Sequence, residues 1–562
     1  MGKVLEKYSR GTLWVSASAL ILLTLITYFS VLQSGFIWDD DYYVTENQTL
    51  KSLEGLKQIW TERTAVPQYY PMVHTTFWVE YHLWGLHPAG YHLVNVFLHA
   101  ATGVLLWSLL RSLQVPGAWL ASALFLLHPI QVESVAWITE RKNVLSGFFY
   151  MLAATSYLRF VNRSISRGRD TWLTYILSLA LFVLALLSKT VACSLPAAIL
   201  LVLWWKKKLQ AKNVYQMVPF FLIGIYLGLQ TAQQEVAHVV GGEAANFDFS
   251  FLERCLIAGR ALCFYLGKVF LPFPLMFNYP RWVIDTAYWW QYLFPAGVLL
   301  VITGLLVAGN RLGRGPLTAA LYYLGTLFPA LGFFNLYPMK YSFVADHFQY
   351  LAGIGVYIPV ATGIMLVTAR SNQVRRLASG TLLAVLAVLT FIQIADYRDL
   401  RTLWTNTLRK NPQSWMSTNN LGHVYEMEGE LEQALAYFDQ TILLNPDYST
   451  GYYNKANILA RMGKLDEALS NYERAVDIEP RYDKSHINYG NALAVSGRVD
   501  EALLQFDLAL KLNPEQVDAT YNKAVILLKT GHREEAIRLL QRALKLDPNY
   551  ARALNKLKAL GY

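Results

Sequence analysis

The sequence predicts an all-α protein in two parts: a polytopic membrane helix bundle, then an α-solenoid. Three observations carry that prediction. The 562-residue chain is 54% apolar and only 16% charged, a membrane composition rather than a soluble one. About eleven apolar runs approach the roughly 20 residues that cross a hydrocarbon core of about 30 Å. From residue 411 onward one phrase returns every 34 residues.

Charge separates the two parts. Residues 1–397 carry 28 Lys/Arg against 18 Asp/Glu, whereas residues 398–562 carry 21 of each. The net +10 therefore belongs to the membrane part, where cytoplasmic loops collect basic residues, and gives no case for nucleic acid. Three cysteines (Cys193, Cys255, Cys263) make no disulfide framework and read as apolar filler.

The first apolar run, Thr12–Leu32, follows Lys3, Lys7 and Arg10, which places the N-terminus in the cytoplasm. It is too long, and too soon followed by another span, for a cleaved signal peptide. It ends abruptly in Phe36-Ile37-Trp38-Asp39-Asp40-Asp41-Tyr42, so three acids arrive at the far face of the bilayer. An aromatic-rich loop up to about Pro88 suits an interfacial element. Further spans are expected near 90–110, 116–129, 143–161, 171–188, 190–205, 214–231, 291–308, 317–334, 351–368 and 377–396. The stretch 255–272, broken by Arg260 and Lys268, decides parity. If it is re-entrant or interfacial, the basic marks (Arg111; Arg163, Arg167 and Arg169; Lys206–Lys208; Arg311 and Arg314; Arg370, Arg375 and Arg376) all fall inside. Eleven crossings then leave the tail outside the cytoplasm.

In the tail, Pro412, Pro446, Pro480, Pro514 and Pro548 mark one position of the period. Gly429, Gly463, Gly497 and Gly531 mark another, and Ala434, Ala468, Ala502 and Ala536 a third. That is tetratricopeptide architecture: two antiparallel helices per repeat, small residues at the helix crossing, proline closing the second helix. The expected division is 1–397 membrane domain, 398–414 linker or first helix, 415–550 four repeats, and 551–562 capping helix. Asn420, Asn454, Asn488 and Asn522 form a further column, on the first helix of each repeat. It reads either as helix-to-helix hydrogen bonding or as an amide ladder that grips the backbone of an extended acceptor peptide.

Polar groups of the membrane part collect on one face in this topology. Asp39, Asp40 and Asp41 follow the first span; His128, Glu133, Glu140, Arg141 and Lys142 lie in one turn; Ser188-Lys189-Thr190 caps a hairpin; Tyr341, Asp346, His347 and Tyr350 lie in another loop. Arg141 and Lys189 could hold an anionic headgroup while a carboxylate activates an acceptor hydroxyl. Glu140 and Lys142 read as ordinary wet loop residues. His92, Asn95 and His99 read as a hydrogen-bonded interior set rather than a metal site, and no sequence pattern supports a divalent metal.

Phe36-Ile37-Trp38-Asp39-Asp40 through Asn47 resembles the first outside loop of the transmembrane and tetratricopeptide-repeat O-mannosyltransferases. Tyr91-His92-Leu93-Val94-Asn95 with His99 does so too. His128-Pro129-Ile130-Gln131-Val132-Glu133 is similar to that family's His-Pro motif, with Arg141 at its downstream arginine. Ser188-Lys189-Thr190 departs from Ser-Lys-Glu at Thr190, and in Asp346-His347-Phe348-Gln349-Tyr350-Leu351 the arginine is replaced by His347. The tight loops and four-repeat tail look prokaryotic. The resemblance implies a C-type glycosyltransferase fold and an inverting transfer of sugar, mannose by the family's name, from a polyprenyl- or dolichyl-phosphate donor to protein Ser/Thr hydroxyls at the extracytoplasmic face. It makes Asp39 or Asp40 the catalytic acid residue, and Arg141, Lys189, Glu133, His128, His347 and Asp346 the donor phosphate and sugar contacts. Donor lipid, acceptor protein and bilayer are the partners implied; the lipid-phosphate sugar enters as substrate, and the resemblance names no bound cofactor, leaving a divalent metal open without support from the sequence. Two other readings compete: a lipid- or polysaccharide-directed transferase of the same fold, and a non-catalytic membrane anchor for a repeat scaffold.

Overall fold

The computed structural model describes residues 10–167, 172–240 and 249–562. Lys3, Lys7 and Arg169 lie outside the described residues, as do the side chains of Arg10, Arg163 and Arg167. The chain divides into two compact units between Asn411 and Pro412. Among the described residues every regular element is helical.

In the first unit α1 (Arg10–Thr27) is followed by two interfacial-length helices, α2 (Leu53–Thr61) and α3 (Pro71–Trp84). Then come α4 (Pro88–Ser112), α5 (Ala118–Leu127), the short α6 (Val132–Ala136), α7 (Arg141–Arg167), α8 (Trp172–Leu186), α9 (Leu195–Trp205) and α10 (Ala211–Val240). The unit continues with α11 (Phe251–Phe270), α12 (Leu293–Val307), a single turn α13 (Gly309–Leu312), α14 (Gly315–Leu327), α15 (Ile354–Val367), α16 (Asn372–Ile394) and α17 (Leu400–Lys410). Prolines open α3 and α4, where the missing N–H costs nothing. Elsewhere the apolar runs become helices because only an internal backbone ladder satisfies N–H and C=O groups in hydrocarbon.

Each of the eleven apolar runs contains a helix, but their lengths differ. Five helical stretches are long and apolar enough to cross a membrane: Pro88–Ser112, Ile138–Asn162, Ala211–Gln234, Trp289–Val307 and Asn372–Tyr397. The pair Ala118–Leu127 and Pro129–Ala136, bent by 51°, would make a sixth. The bend falls where Pro129 forces His128 out of the helical region, to φ −78°, ψ 129°. Gly11–Thr27, Trp172–Leu186, Thr190–Trp205 and Ile354–Val367 are shorter apolar helices. Of the stretch 255–272, the residues up to Phe270 belong to α11, one unbroken helix whose Arg260 guanidinium lies 4.4 Å from the centre of the Trp282 ring, and Leu271 and Pro272 follow its end.

Burial sorts the bundle into layers. Every residue from Leu120 to Leu145 is buried, so α5, α6 and the start of α7 form the centre. α12 has no buried residue, and its Leu299, Leu300 and Val307 are exposed, as expected of a face turned to lipid. α17 belongs to this unit: its Trp404 packs edge-on against Trp38 and Phe277 at 4.9 and 5.4 Å, and Asn411 donates to Asn278 O at 3.2 Å.

The second unit is a run of helix pairs: α18 (Trp415–Met427) with α19 (Leu431–Leu444), α20 (Ser449–Arg461) with α21 (Leu465–Ile478), α22 (Asp483–Val495) with α23 (Val499–Leu512), and α24 (Val517–Lys529) with α25 (Arg533–Leu546). α26 (Ala551–Ala559) follows. The alanine column is fully buried where the helices of a pair meet. The glycine column has another task. Gly429, Gly463, Gly497 and Gly531 have φ between +77° and +88° and open space around the missing Cβ, so they make the left-handed turn between paired helices rather than a close crossing.

Candidate functional site

The chain leaves α1 through a short 3-10 turn (Phe29–Gln33) and an extended Ser34, and Gly35 N–H donates to Arg398 O at 2.8 Å. Trp38 then takes φ +50°, a left-handed conformation that a bulky side chain adopts only under tertiary constraint. The constraint is the packing of its ring on Trp404 and Phe277. A π-helical turn over Asp41–Thr45 follows. Between these two irregular pieces stand Asp39 and Asp40, and the structure gives them different work.

Asp40 is fully buried and spent on structure. Its Oδ2 accepts from Ile37 N–H at 2.8 Å, and its Oδ1 accepts from Thr139 N–H and Oγ1 at 2.8 and 2.6 Å. Burial pushes its carboxyl up to about 8 against those donors, which favour the charged form. Asp39 is partly exposed, and its Oδ1 is buried without accepting a hydrogen bond. Burial raises its carboxyl to about 6, opposed by the charge of Lys142 and reinforced by that of Glu140. Asp41 is engaged locally, accepting from Thr45 Oγ1 at 2.9 Å.

Facing Asp39 is a buried ionic group. Glu140 forms an ion pair with Lys142 Nζ at 3.2 Å on one oxygen and accepts from Lys189 Nζ at 3.0 Å on the other, where Asn143 Nδ2 adds a bond at 2.7 Å; Lys142 Nζ also donates to Gln68 Oε1 at 3.4 Å. Burial holds the Lys189 amine below its ordinary value, with Glu140 the main influence keeping it charged. Glu140 and Lys142, which read as wet loop residues in sequence, are thus interior. A signal was present: they fall in Thr139-Glu140-Arg141-Lys142 inside an otherwise apolar stretch, and buried charges survive only when paired.

Beside this group His347 takes two bonds to Glu133, from its backbone N–H and its ring Nδ1, each at 3.0 Å. Asp346 accepts twice from the hydroxyl of Tyr279, at 3.0 and 3.1 Å, and burial raises its carboxyl well above the usual range. Tyr279 carried no sequence signal.

Two expected headgroup ligands are committed elsewhere. Arg141 is completely buried and makes a forked pair with both Glu80 oxygens; it also donates to Asn95 Oδ1, to Thr76 Oγ1 at 3.2 Å and to Tyr91 O at 2.8 Å. This ties α3, α4 and α7 together and leaves little donor capacity for phosphate. His128 accepts from Ile130 N–H at 3.3 Å and meets Val269 O at 2.9 Å, which makes it a turn cap. Two of the three interior residues are hydrogen-bonded: Asn95 donates to Val135 O and Trp137 O, and His99 bonds Tyr350 Oη and Leu126 O, whereas both ring nitrogens of His92 are buried outside hydrogen-bond geometry. Among the described residues no group of three His, Cys, Asp or Glu is placed to hold a metal.

The asparagine column divides as well. Asn420 donates to Met416 O of its own helix. Asn454 and Asn488 reach back one repeat, to Asn419 at 2.9 Å and to Tyr453 and Asn457 at 2.9 Å each. Asn488 and Asn522 also line a groove of about 660 Å³ with Asn491, Lys484 and Lys529.

Comparison with known proteins agrees with both parts. Tetratricopeptide repeat models match residues 386–449, 453–517 and 496–560. The chain is 25% identical over 511 residues to protein O-mannosyl-transferase Tmtc3 of Drosophila melanogaster, covering 75% of this chain and 54% of that protein. It is 24% identical over 480 residues to human protein O-mannosyl-transferase TMTC3, covering 75% and 50%. It is 32% identical over 163 residues to tmtc2 of Xenopus laevis, covering 27% and 20%. The chain spans about half the length of the first two of these relatives. Among solved structures, MamA aligns at 18% identity over 27% of this chain and 89% of its own, with a TM-score of 0.26. YrrB, titled a TPR protein with an unusual peptide-binding site, aligns at 24% identity over 28% and 97%, with a TM-score of 0.18. The protein is thus a membrane helical bundle with a tetratricopeptide-repeat array. Over three quarters of its length it is similar to the TMTC protein O-mannosyl-transferases.

The Arg141–Glu80 pair generates a test. Arg141→Met or Glu80→Leu alone should destabilise the detergent-solubilised protein by about 3 kcal/mol or more, because each leaves a buried charge unpaired. The double substitution should recover much of that loss. Thermal melting of the four proteins checks it, and additive losses would rule out the pair as a unit.

Proposed function

We propose that the first unit transfers a sugar from a lipid-phosphate donor to a hydroxyl of a protein acceptor, inverting the anomeric carbon, with Asp39 as the general base. The observation that carries this reading is the unpaired Asp39 Oδ1 beside a lysine pair bridged by Glu140. Asp39 has a carboxyl near 6, so it is charged at neutral pH yet basic enough to accept a proton. In the step, the acceptor oxygen forms a bond to the anomeric carbon, and the bond from that carbon to the phosphate oxygen breaks. The electron pair leaves on the lipid phosphate, and the hydroxyl proton goes to Asp39.

Lys142 and Lys189 are the groups suited to the phosphate, since an anion there supplements Glu140 in stabilising two buried ammonium groups. Asp40 positions rather than reacts, fixing the loop that carries Asp39. Asp39→Asn should therefore reduce turnover by about a hundredfold or more without lowering the melting temperature. Asp40→Asn should lower both. The wild-type kcat/KM should fall as pH drops through about 6, because the base is lost on protonation. Full activity of Asp39→Asn would move the protein to the non-catalytic scaffold reading.

In this reading the bundle crosses the membrane eleven times, with the N-terminus cytoplasmic and the repeats extracytoplasmic, which gathers the basic loops inside. Lys529, exposed at the end of α24, offers a test: Lys529→Cys should react with a membrane-impermeant thiol reagent in intact cells or spheroplasts. Reaction only after lysis inverts the topology.

The repeats serve as the acceptor-binding module. Asn491 and Asn522, side by side in the lining of the groove, suit the backbone of an extended segment. Asn454 and Asn488 are held by the preceding repeat and make poorer probes. Asn491→Ala combined with Asn522→Ala should raise the acceptor KM about thirtyfold, at about 1 kcal/mol for each of two lost hydrogen bonds, and leave the donor KM unchanged. Unchanged acceptor kinetics would favour a lipid or polysaccharide acceptor.

A further inference from the structure

We infer that the groove along α22 and α24 takes an extended acceptor segment with two acidic side chains spaced to meet Lys484 and Lys529. The inference rests on the acceptor-binding reading of the repeats and adds the chemical class of the acceptor.

Charge singles this groove out. Residues 398–562 are balanced, with 21 basic and 21 acidic residues. The lining of the groove, about 660 Å³ in volume, holds Lys484, Lys529 and Arg552 against one acid, Asp518. Arg552 and Asp518 answer each other at 3.6 Å, and Asp518 also accepts from Tyr550 Oη at 2.6 Å. Lys484 and Lys529 are exposed, and their ammonium groups have no ion-pair or hydrogen-bond partner among the described residues. The other lysines on the first helices of the four repeats are paired, Lys455 with Asp439 at 2.7 Å and Lys523 with Asp507 at 2.5 Å. The two free cations are thus the two that face the groove.

Register sets the spacing of the charges they would meet. Lys484 is the second residue of α22 and Lys529 the last of α24. The 34-residue period runs the first helices in one direction, so Lys529 occupies the position that Val495 has in α22, eleven residues beyond Lys484. That offset is about 16 Å along the axis, with about 10 Å more across to the neighbouring helix. The two positions are then about 19 Å apart, the span of about five or six extended residues at about 3.3 Å each. Between them Asn491 and Asn522 offer amides to a backbone, and Val495, 77% exposed, gives the Lys529 end an apolar contact. A nucleic-acid strand suits the groove less well. It carries a charge at every nucleotide and calls for a continuous track of cations, which Asp518 interrupts.

The test measures binding of fluorescent peptides to the full-length protein in nanodiscs, with no sugar donor present. Three peptides share one serine- and threonine-containing frame: two aspartates six residues apart, the same two side by side, and asparagine at both spaced positions. The spaced acids should bind about tenfold tighter than the asparagine peptide, and about 0.5 M salt should remove most of that gain. Lys484→Gln and Lys529→Gln should each weaken the spaced-acid peptide about threefold and leave the asparagine peptide alone. Lys484→Glu combined with Lys529→Glu should pass the preference to a peptide with two spaced lysines. Both side chains are exposed, so these substitutions leave the fold intact. Equal binding of the three peptides, tighter binding of the adjacent acids, a preference that survives charge reversal, or tighter binding of a single-stranded oligonucleotide would each overturn the inference. The acceptor reading survives those outcomes wherever the asparagine peptide still binds and is weakened by Asn491→Ala with Asn522→Ala. The expected preference without any sugar transfer to the spaced-acid peptide would keep the binding surface and end the transferase reading.

Discussion

The Asp40 carboxylate is the joint on which the candidate site depends. Three donors converge on it, one from its own loop and two from Thr139, 99 residues away in sequence. A fully buried acceptor cannot release three such donors cheaply, since each would be left unsatisfied away from water, so the exit of the first helix and the turn before α7 are fixed as one piece. Asp39 precedes the joint and Lys142 follows it by three residues on the other strand of chain, so one tie sets the distance between the carboxylate and the lysines. Trp38, held at a positive φ by Trp404 and Phe277, sets the direction from which Asp39 enters.

Around that joint the interior charges are arranged in closed sets. Arg141 with Glu80, Glu140 with two lysines, and Glu133 with His347 each satisfy themselves within a few ångströms. Asp39 borders one such set without joining it by a hydrogen bond, and its buried Oδ1 accepts none. A carboxylate with one oxygen left without a donor, set beside a charged group, is where chemistry is cheapest to start.

Much of this was legible in the chain. The helical class, the apolar runs and the period of 34 are set by composition and spacing, which act locally. The acid triplet stood out because charge at the edge of an apolar run is costly. The separate tasks of Asp39 and Asp40 were not legible, since they turn on Thr139, a residue with no signal of its own. Arg141 read as a phosphate ligand because its partner Glu80 lies 61 residues earlier in an aromatic loop, and only the fold brings them together. Glu140 and Lys142 read as solvent-exposed for the same reason: their burial depends on Lys189 arriving from another hairpin. The lengths of the helices were overestimated wherever a proline or polar pair cut a run short, as at His128-Pro129.

The left-handed glycine at every 34th position has a consequence for how such a chain changes over time. Each repeat touches only its neighbours, and each turns between its two helices through the same left-handed glycine. A duplication or deletion of one whole period leaves every remaining interface chemically as it was, whereas a change of any other length breaks the phase of the column. The array can therefore grow or shrink in quantised steps while the bundle stays constant, so its reach evolves independently of the reaction.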